Sequence, residues 1–285
     1  MYFTRLVPAV AALLLLAGCS RSIDFEIDNP TDTPVSLSID AQPHVIPPHT
    51  TVPITLEPGQ HRLQGEKIGS ARLVVFAGGI GGLINPTLGE YVVVTEQYVT
   101  SKTNTGNLAS KVELNDVVID GPYVKATGLF IPRHWDVGLL GELPEMVMSN
   151  SPDTSSDYRT KLYNVPGFFE YLDAEDELKD AFGPDGYRTP EATVEYTAAT
   201  LPELPAAYEA RCKPMRDVYA QYLAATDAGE QKRLKKAGMK LWQDLSVAQG
   251  KVNGTLSVSD DVKVSQFSSA FFGLLMQPAA ILPES

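Results

Sequence analysis

"IDFEIDNPTDTPVSLSID", residues 23–40, decides the fold class. Ile23, Phe25 and Ile27 alternate with Asp24, Glu26 and Asp28. That period of two puts every second side chain on one face of a strand. Asn29-Pro30-Thr31-Asp32 carries turn chemistry, and Val35, Leu37 and Ile39 then resume the alternation. Further on, Pro47-Pro48 interrupts the chain, Val52, Ile54 and Leu56 alternate once more, and Pro58-Gly59 turns it again. Short strands separated by such turns predict a small β-sandwich or meander.

Strand-like runs continue at 72–76, 91–98, 112–119 and 123–129. Two of them are nearly continuous apolar stretches, as expected of strands covered on both faces. Between 132 and 156 the pattern fades into Pro, Gly, Ser and Asn, most loop-like at "SNSPDTSSD". Helical periodicity follows. Residues 165–182 read as one helix closed by Gly183-Pro184, and 205–226 as a second with Tyr208, Cys212, Met215, Tyr219 and Tyr222 on one stripe. Pro214 is expected to kink or divide the second, because an interior proline removes a hydrogen bond and costs about 3 kcal/mol. Residues 230–249 form a third, burying Leu234, Leu241, Trp242 and Leu245. At the end, "GTLSVSD" reads as a strand and "SQFSSAFFGLLM" as an apolar helix. The predicted class is α+β: an N-terminal β-sandwich or meander region followed by a helical C-terminal region. Its segments are a signal peptide at 1–18, a β-rich domain at 19–130, a loop-rich connector at 131–156 and a mainly helical domain at 157–285.

The first residues carry an address. Arg5 precedes an apolar run from Leu6 to Leu16, broken only by Pro8. Eleven helical residues rise about 16 Å, too short for a hydrocarbon core of about 30 Å. One positive charge, a short apolar core and small residues form the layout of a secretory signal peptide. Leu16-Ala17-Gly18-Cys19 then resembles the lipobox of bacterial lipoproteins. The resemblance implies cleavage between Gly18 and Cys19, a diacylglyceryl group on the Cys19 thiol, and acylation of the new amine. Two or three acyl chains at about 0.8 kcal/mol per buried methylene hold a protein on a membrane almost permanently. In enteric-type lipoproteins an Asp after the cysteine retains the protein in the inner membrane. Ser20 stands there instead, so the resemblance implies the bacterial outer membrane, with the body facing the periplasm.

A second resemblance covers about forty residues. "VSLSID" followed by "VIPPHTTVPITLEPGQHRL" is similar to the PEGA-type β modules of bacterial envelope proteins. Those pair a strand ending in Ile-Asp, here Ile39-Asp40, with a later strand ending in Leu-x-Pro-Gly-x-His, here Leu56 to His61. Ala41 follows Asp40 where the family usually has glycine. Such modules imply a structural or interaction role.

Composition narrows the function classes. The formal net charge is −12, and loss of Arg5 with the signal makes it −13. A chain this acidic repels nucleic acid, so no nucleic-acid partner is expected. Cys19 and Cys212 are its two cysteines. With Cys19 acylated, no internal disulfide can form, and Cys212 reads as a small buried hydrophobe.

"VVFAGGIGGLINPTLGEYVVV", residues 74–94, raises the question of a phosphate loop. The P-loop form needs Gly-Lys-Ser/Thr after the second glycine, yet Lys102 is the first lysine beyond this loop. The dinucleotide spacing would require glycine at Ile84. Gly78, Gly79, Gly81 and Gly82 therefore read as a flexible inter-strand loop, with close approach of a partner backbone as the second reading.

Chemistry-bearing motifs are sparse. His-Glu-x-x-His, Cys-x-x-Cys, Gly-x-Ser-x-Gly and Ser-x-x-Lys do not occur. His44, His49 and His61 fall in the β module, where a zinc site would need them on one face with a carboxylate nearby; they read as surface histidines, and Asp173, Glu175, Asp176 and Glu177 as a solvated helix face. Lys232, Arg233, Lys235, Lys236 and Lys240 form one basic cluster, read as a solvated helix face, with contact to anionic lipid or an acidic partner as the alternative. "LFIPRHWDVGLLGELPEM" is the candidate contact segment, with Arg133, His134 and Trp135 as candidate partner-contact residues, since Trp and Arg are enriched at interaction hot spots. The competing reading makes Trp135 a plug between the β and α parts. His134 and Asp136 could orient each other, but nothing beside them is a nucleophile.

The expectation is a lipid-anchored envelope lipoprotein that binds or scaffolds a protein partner in the periplasm. No catalytic residue, metal or cofactor is assigned, and it is read as not an enzyme. Two alternatives stand beside it: an immunity or inhibitor protein against a periplasmic toxin, and a hydrolase with a non-local catalytic site.

Overall fold

The computed structural model describes residues 22–99, 110–147, 156–172, 181–182, 186–197, 201–204, 206–252 and 257–284. The chain is α+β, with strands mostly N-terminal and helices C-terminal. The opening alternation is strand β1 (Ile23–Asn29). It pairs antiparallel with β4 (Thr50–Leu56) and parallel with β7 (Gly82–Ile84), which pairs in turn with β12 (Phe130–Pro132). A second sheet has the order β14 (Ala279–Pro283), β6 (Gly69–Val75), β5 (Gly59–Gly65), β2 (Val35–Ile39), β3 (Gln42–Ile46), all antiparallel. The two sheets bury one apolar cluster, to which Phe25, Ile27, Leu37, Leu63, Leu73 and Ile84 contribute. Ile27, Leu63, Leu73 and Ile84 are wholly excluded from water.

The second sheet has a further partner on its other face. Val74, Phe76 and Ala280 point into a helical layer made of α2 (Ala206–Ala224), α3 (Ala228–Val252) and α4 (Val258–Met276). Phe76 stacks on Tyr222, with ring centroids 4.3 Å apart. This explains the unbroken apolar run of β6: alternate residues serve two different cores.

A third sheet, β11 (Tyr123–Ala126), β8 (Tyr91–Val99), β13 (Ser156–Asn164), lies beside the first. Val92 and Val94 of β8 pack with Val112, Leu114 and Phe168, which lie on β9 (Lys111–Leu114) and α1 (Val165–Leu172). Tyr91 faces the first sheet through a different cluster.

Several expectations change here. Residues 112–119 are not one strand. They form a hairpin of β9 and β10 (Val117–Asp120), turned by Asn115 and Asp116 with φ of 43° and 67°. Asp40 and Ala41 turn β2 into β3 in the same way, with φ of 51° and 64°. Two consecutive positive φ values suit a two-residue hairpin because they match the twist of the strands. The Asp40 carboxylate holds its turn, accepting from Arg62 N at 2.8 Å and meeting His61 Nδ1 at 2.7 Å. Pro214 does not divide α2, which is continuous across it and buries Cys212, Met215, Tyr219 and Tyr222 as the stripe predicted. "GTLSVSD" is not a strand where it is described. Ser257 Oγ accepts from Asp260 N at 3.2 Å and caps α4, which starts at Val258. Part of the helix expected at 165–182 is α1, and residues 173–180 lie outside the described residues. Strand β13 begins where the loop-rich stretch ends, and β14 returns the C-terminal segment to the edge of β6.

Candidate functional site

A cleft of about 480 Å³ opens at one end of the paired sheets. Five pieces of chain meet there: the start of β1 at Ser22 to Asp24, Pro58 between β4 and β5, the glycine loop at Ala77 to Ile80, Arg133 just after β12, and the start of α3 at Ala228 and Lys232. A smaller cleft of about 250 Å³ adjoins it, sharing Asp24 and Arg133 and adding Glu26 and Trp135.

The glycine loop is tighter than a flexible connector. A Cβ on Gly81 would collide with Asp24 O, and one on Gly79 with Pro278 O, so only glycine lets β1 and the β14 approach pass this close. Gly81 also has φ of 73°. Close approach of other backbone, the second of the two sequence readings, is what these positions serve. Gln231 completes the clamp. It is wholly buried, its Oε1 accepts from Ala77 N at 2.7 Å, and its Nε2 donates to Val75 O at 2.9 Å. No sequence signal marks it, because one glutamine in a charged helix carries no pattern. Ile80, between the packed glycines, stays 64% exposed.

Arg133 is placed by backbone. Its N donates to Gly81 O at 3.2 Å, its Nε to Trp135 O at 3.3 Å and its Nη2 to Asp136 O at 3.1 Å. The guanidinium therefore curls over its own loop beside both clefts. His134 is exposed. The Asp136 carboxylate turns to Thr160, accepting from its N at 2.8 Å and Oγ1 at 3.0 Å, so it is engaged with β13 and not with His134.

Trp135 is 7% exposed and packs with Leu83, Tyr91, Ile131 and Leu162. It is a plug, but it joins the first and third sheets, not the β and α parts. Of the three candidate contact residues, Arg133 and His134 face solvent and Trp135 holds up the loop beneath them. Gly18 and Cys19 lie outside the described residues, as do Asp173, Glu175, Asp176 and Glu177.

Burial raises the Glu26 carboxyl above its ordinary range, against opposing effects from Leu139 N, which donates to it at 3.3 Å, and from Arg133. The small cleft thus holds a partly buried acid beside a cation, while its described lining has no hydroxyl, thiol or imidazole to pair with them. The larger cleft offers Arg133 and Lys232 with Asp24 opposite, an arrangement suited to binding an anionic or mixed-charge group.

A second polar cluster is closed. Asp28, 1% exposed, accepts from Thr51 Oγ1 at 2.6 Å, Tyr91 OH at 2.9 Å and Asn164 Nδ2 at 3.1 Å. Burial first, then the Asp28 charge, lifts the Tyr91 phenol well above its usual value. Asn164 also caps α1 by accepting from Gly167 N at 2.9 Å. Every member is satisfied, so the cluster ties β1 to β4, β8 and α1. Elsewhere, His49 meets Asp32 at 2.9 Å while His61 meets Asp40, on different turns. Among the described residues no three His, Cys, Asp or Glu side chains gather for a metal. Nor is any described helix long and apolar enough to cross a membrane.

No known protein family, curated protein or solved structure matches the chain.

Proposed function

We propose that the protein is a lipid-anchored lipoprotein of the bacterial cell envelope, held on the outer membrane and facing the periplasm, where it binds or scaffolds a protein partner. In this reading the paired sheets are a β-sandwich of the PEGA-like kind, a carrier for contact surfaces. The observation that carries the proposal is the distance between anchor and fold: Leu16-Ala17-Gly18-Cys19 precedes β1, which starts at Ile23. A chain acylated at Cys19 would have its cleft end tethered at the membrane with almost no linker. Arg133 and His134, both exposed on the loop after β12, support a contact role for that loop.

Cys19→Ala tests the anchor. Unprocessed precursor should accumulate and fatty-acid labelling should vanish; acylation at the wild-type level would end this reading. A photo-crosslinking residue at His134, activated in intact envelopes, tests the contact. A discrete adduct that is lost on Arg133→Ala is expected, and an adduct pattern identical to that from exposed Val45 would remove this loop from the proposal.

A further inference from the structure

The anchored chain has many surfaces that could face the lipid, and the observations select one. Cys19 lies three residues before Ser22, and three extended residues reach at most about 11 Å. Ser22 lines the larger cleft together with Ile80. Whatever surface surrounds Ser22 therefore stays within about one extended tether of the acylated thiol. At that surface stands Ile80, 64% exposed, although its loop is fixed by Gly79 against Pro278, Gly81 against Asp24 and Ala77 against Gln231. A large aliphatic side chain held outward on a packed loop has no partner among the described residues that would explain it. Arg133 and Lys232 flank the same opening, with Asp24 as the acid on the rim. Lipid phosphates offer the complementary charge.

We infer that this end of the paired sheets rests on the bilayer surface, with Ile80 in the headgroup–acyl boundary and Lys232 over lipid phosphates, while the Arg133 guanidinium stays on its own loop. This rests on the lipidation proposed above. It fixes the body's orientation: the turn between β5 and β6, at Glu66 to Ile68, points away from the membrane. The length of β5, Gly59–Gly65, sets that turn about 20 Å further out at 3.3 Å per residue.

The test uses the full chain, processed in its host membrane and reconstituted in vesicles of phosphatidylethanolamine and phosphatidylglycerol. An environment-sensitive dye is attached at Ile80→Cys or, separately, at exposed Glu66→Cys, and quenched by lipid-borne nitroxide or by aqueous iodide. Cys212 is wholly buried, so it does not compete for the dye. Nitroxide should quench the dye at 80 several-fold more than at 66, and iodide the reverse. Equal access of iodide to both positions overturns the orientation. The wild-type chain, carried through the same steps, reports on the anchor alone. It should float with the vesicles and take no dye. Dye on wild-type Cys19, or failure to float, defeats the lipidation itself and the orientation with it.

Discussion

The two halves of the second sheet share one backbone ladder and live in different surroundings. Val74 of β6, Phe76 just after it and Ala280 of β14 lie under the helices and are at most 1% exposed. In β3, Val45 is 65% exposed. Both halves pack their other face on the first sheet, through Leu73 and Ile281 at one side and Leu37 and Ile46 at the other. The sequence of each half matches its cover. "VSLSI" alternates because one face is wet; Leu73 to Val75 does not because both faces are dry there. Hydrophobic pattern in this molecule reports how many layers a strand serves, and a helix laid over half a sheet is written into the strands beneath it.

The largest break in that comparison comes from ending the chain at Gln277, which removes β14. Ile281 and Ala279 leave one core, Ala280 leaves the other, and the edge of β6 is bared. A buried isoleucine alone carries about 2–5 kcal/mol, against a total domain stability of about 5–15 kcal/mol. Loss of a cooperative melting transition is expected; a truncated chain that melts like wild type would mean the helical layer does not depend on the last strand.

Phe76→Ala comes next. It removes the stack on Tyr222 and leaves a cavity between sheet and helices. The expected cost is about 3–5 kcal/mol, read from urea denaturation. A cost below 1 kcal/mol, on the order of an ordinary surface change, would show that the helices sit loosely on the sheet.

The covered half should also yield first at high pH. Burial pushes the Tyr219 phenol up from 10 to about 12, and its OH has no partner among the described residues. The folded state thus favours the protonated phenol. Its stabilising effect is complete below pH 10 and is lost as pH climbs from 10 through about 12, at about 1.4 kcal/mol per unit. Neither β2 nor β3 holds a tyrosine. Helical circular dichroism should fall in that window, and Tyr219→Phe should move the fall to higher pH. An unmoved alkaline limb would assign it to other groups.

The smallest effect sharpens the contrast most directly. Val→Thr keeps shape and adds a hydroxyl. At Val74 the hydroxyl is buried, for an expected cost of about 1–3 kcal/mol. At Val45 it meets water, and the change should stay within about 0.5 kcal/mol. Equal costs at the two positions would erase the distinction between the halves.

Much of this was legible before any coordinates. The strand faces of β1, β2 and β4 follow from alternation, and the buried stripe of α2 from Tyr208 through Tyr222 follows from helical spacing. What escaped was short or contradictory locally. The Asn115-Asp116 turn hides in an apolar run because non-glycine residues rarely take two positive φ values in succession. The apolar run of β14 is too brief for periodicity to separate strand from helix. Ser257 shows the opposite case: its cap on α4 was present as Ser-x-x-Asp, and "GTLSVSD" still reads as a strand because its apolar residues alternate.

For the candidate site the division is sharper. The sequence by itself determined the lipobox pattern at Leu16 to Cys19, the acidic charge, the absence of a P-loop and the prominence of Arg133, His134 and Trp135, because composition and short motifs are local properties. Only the tertiary structure decided that Trp135 is a plug between two sheets, that Gln231 clamps the glycine loop, and that Ser22, Ile80, Arg133 and Lys232 border one cleft. Those four residues are spread over some two hundred positions of sequence. Their meeting depends on strand pairing and helix packing, which are set by the summed burial of many side chains and by no single motif that a linear reading could find.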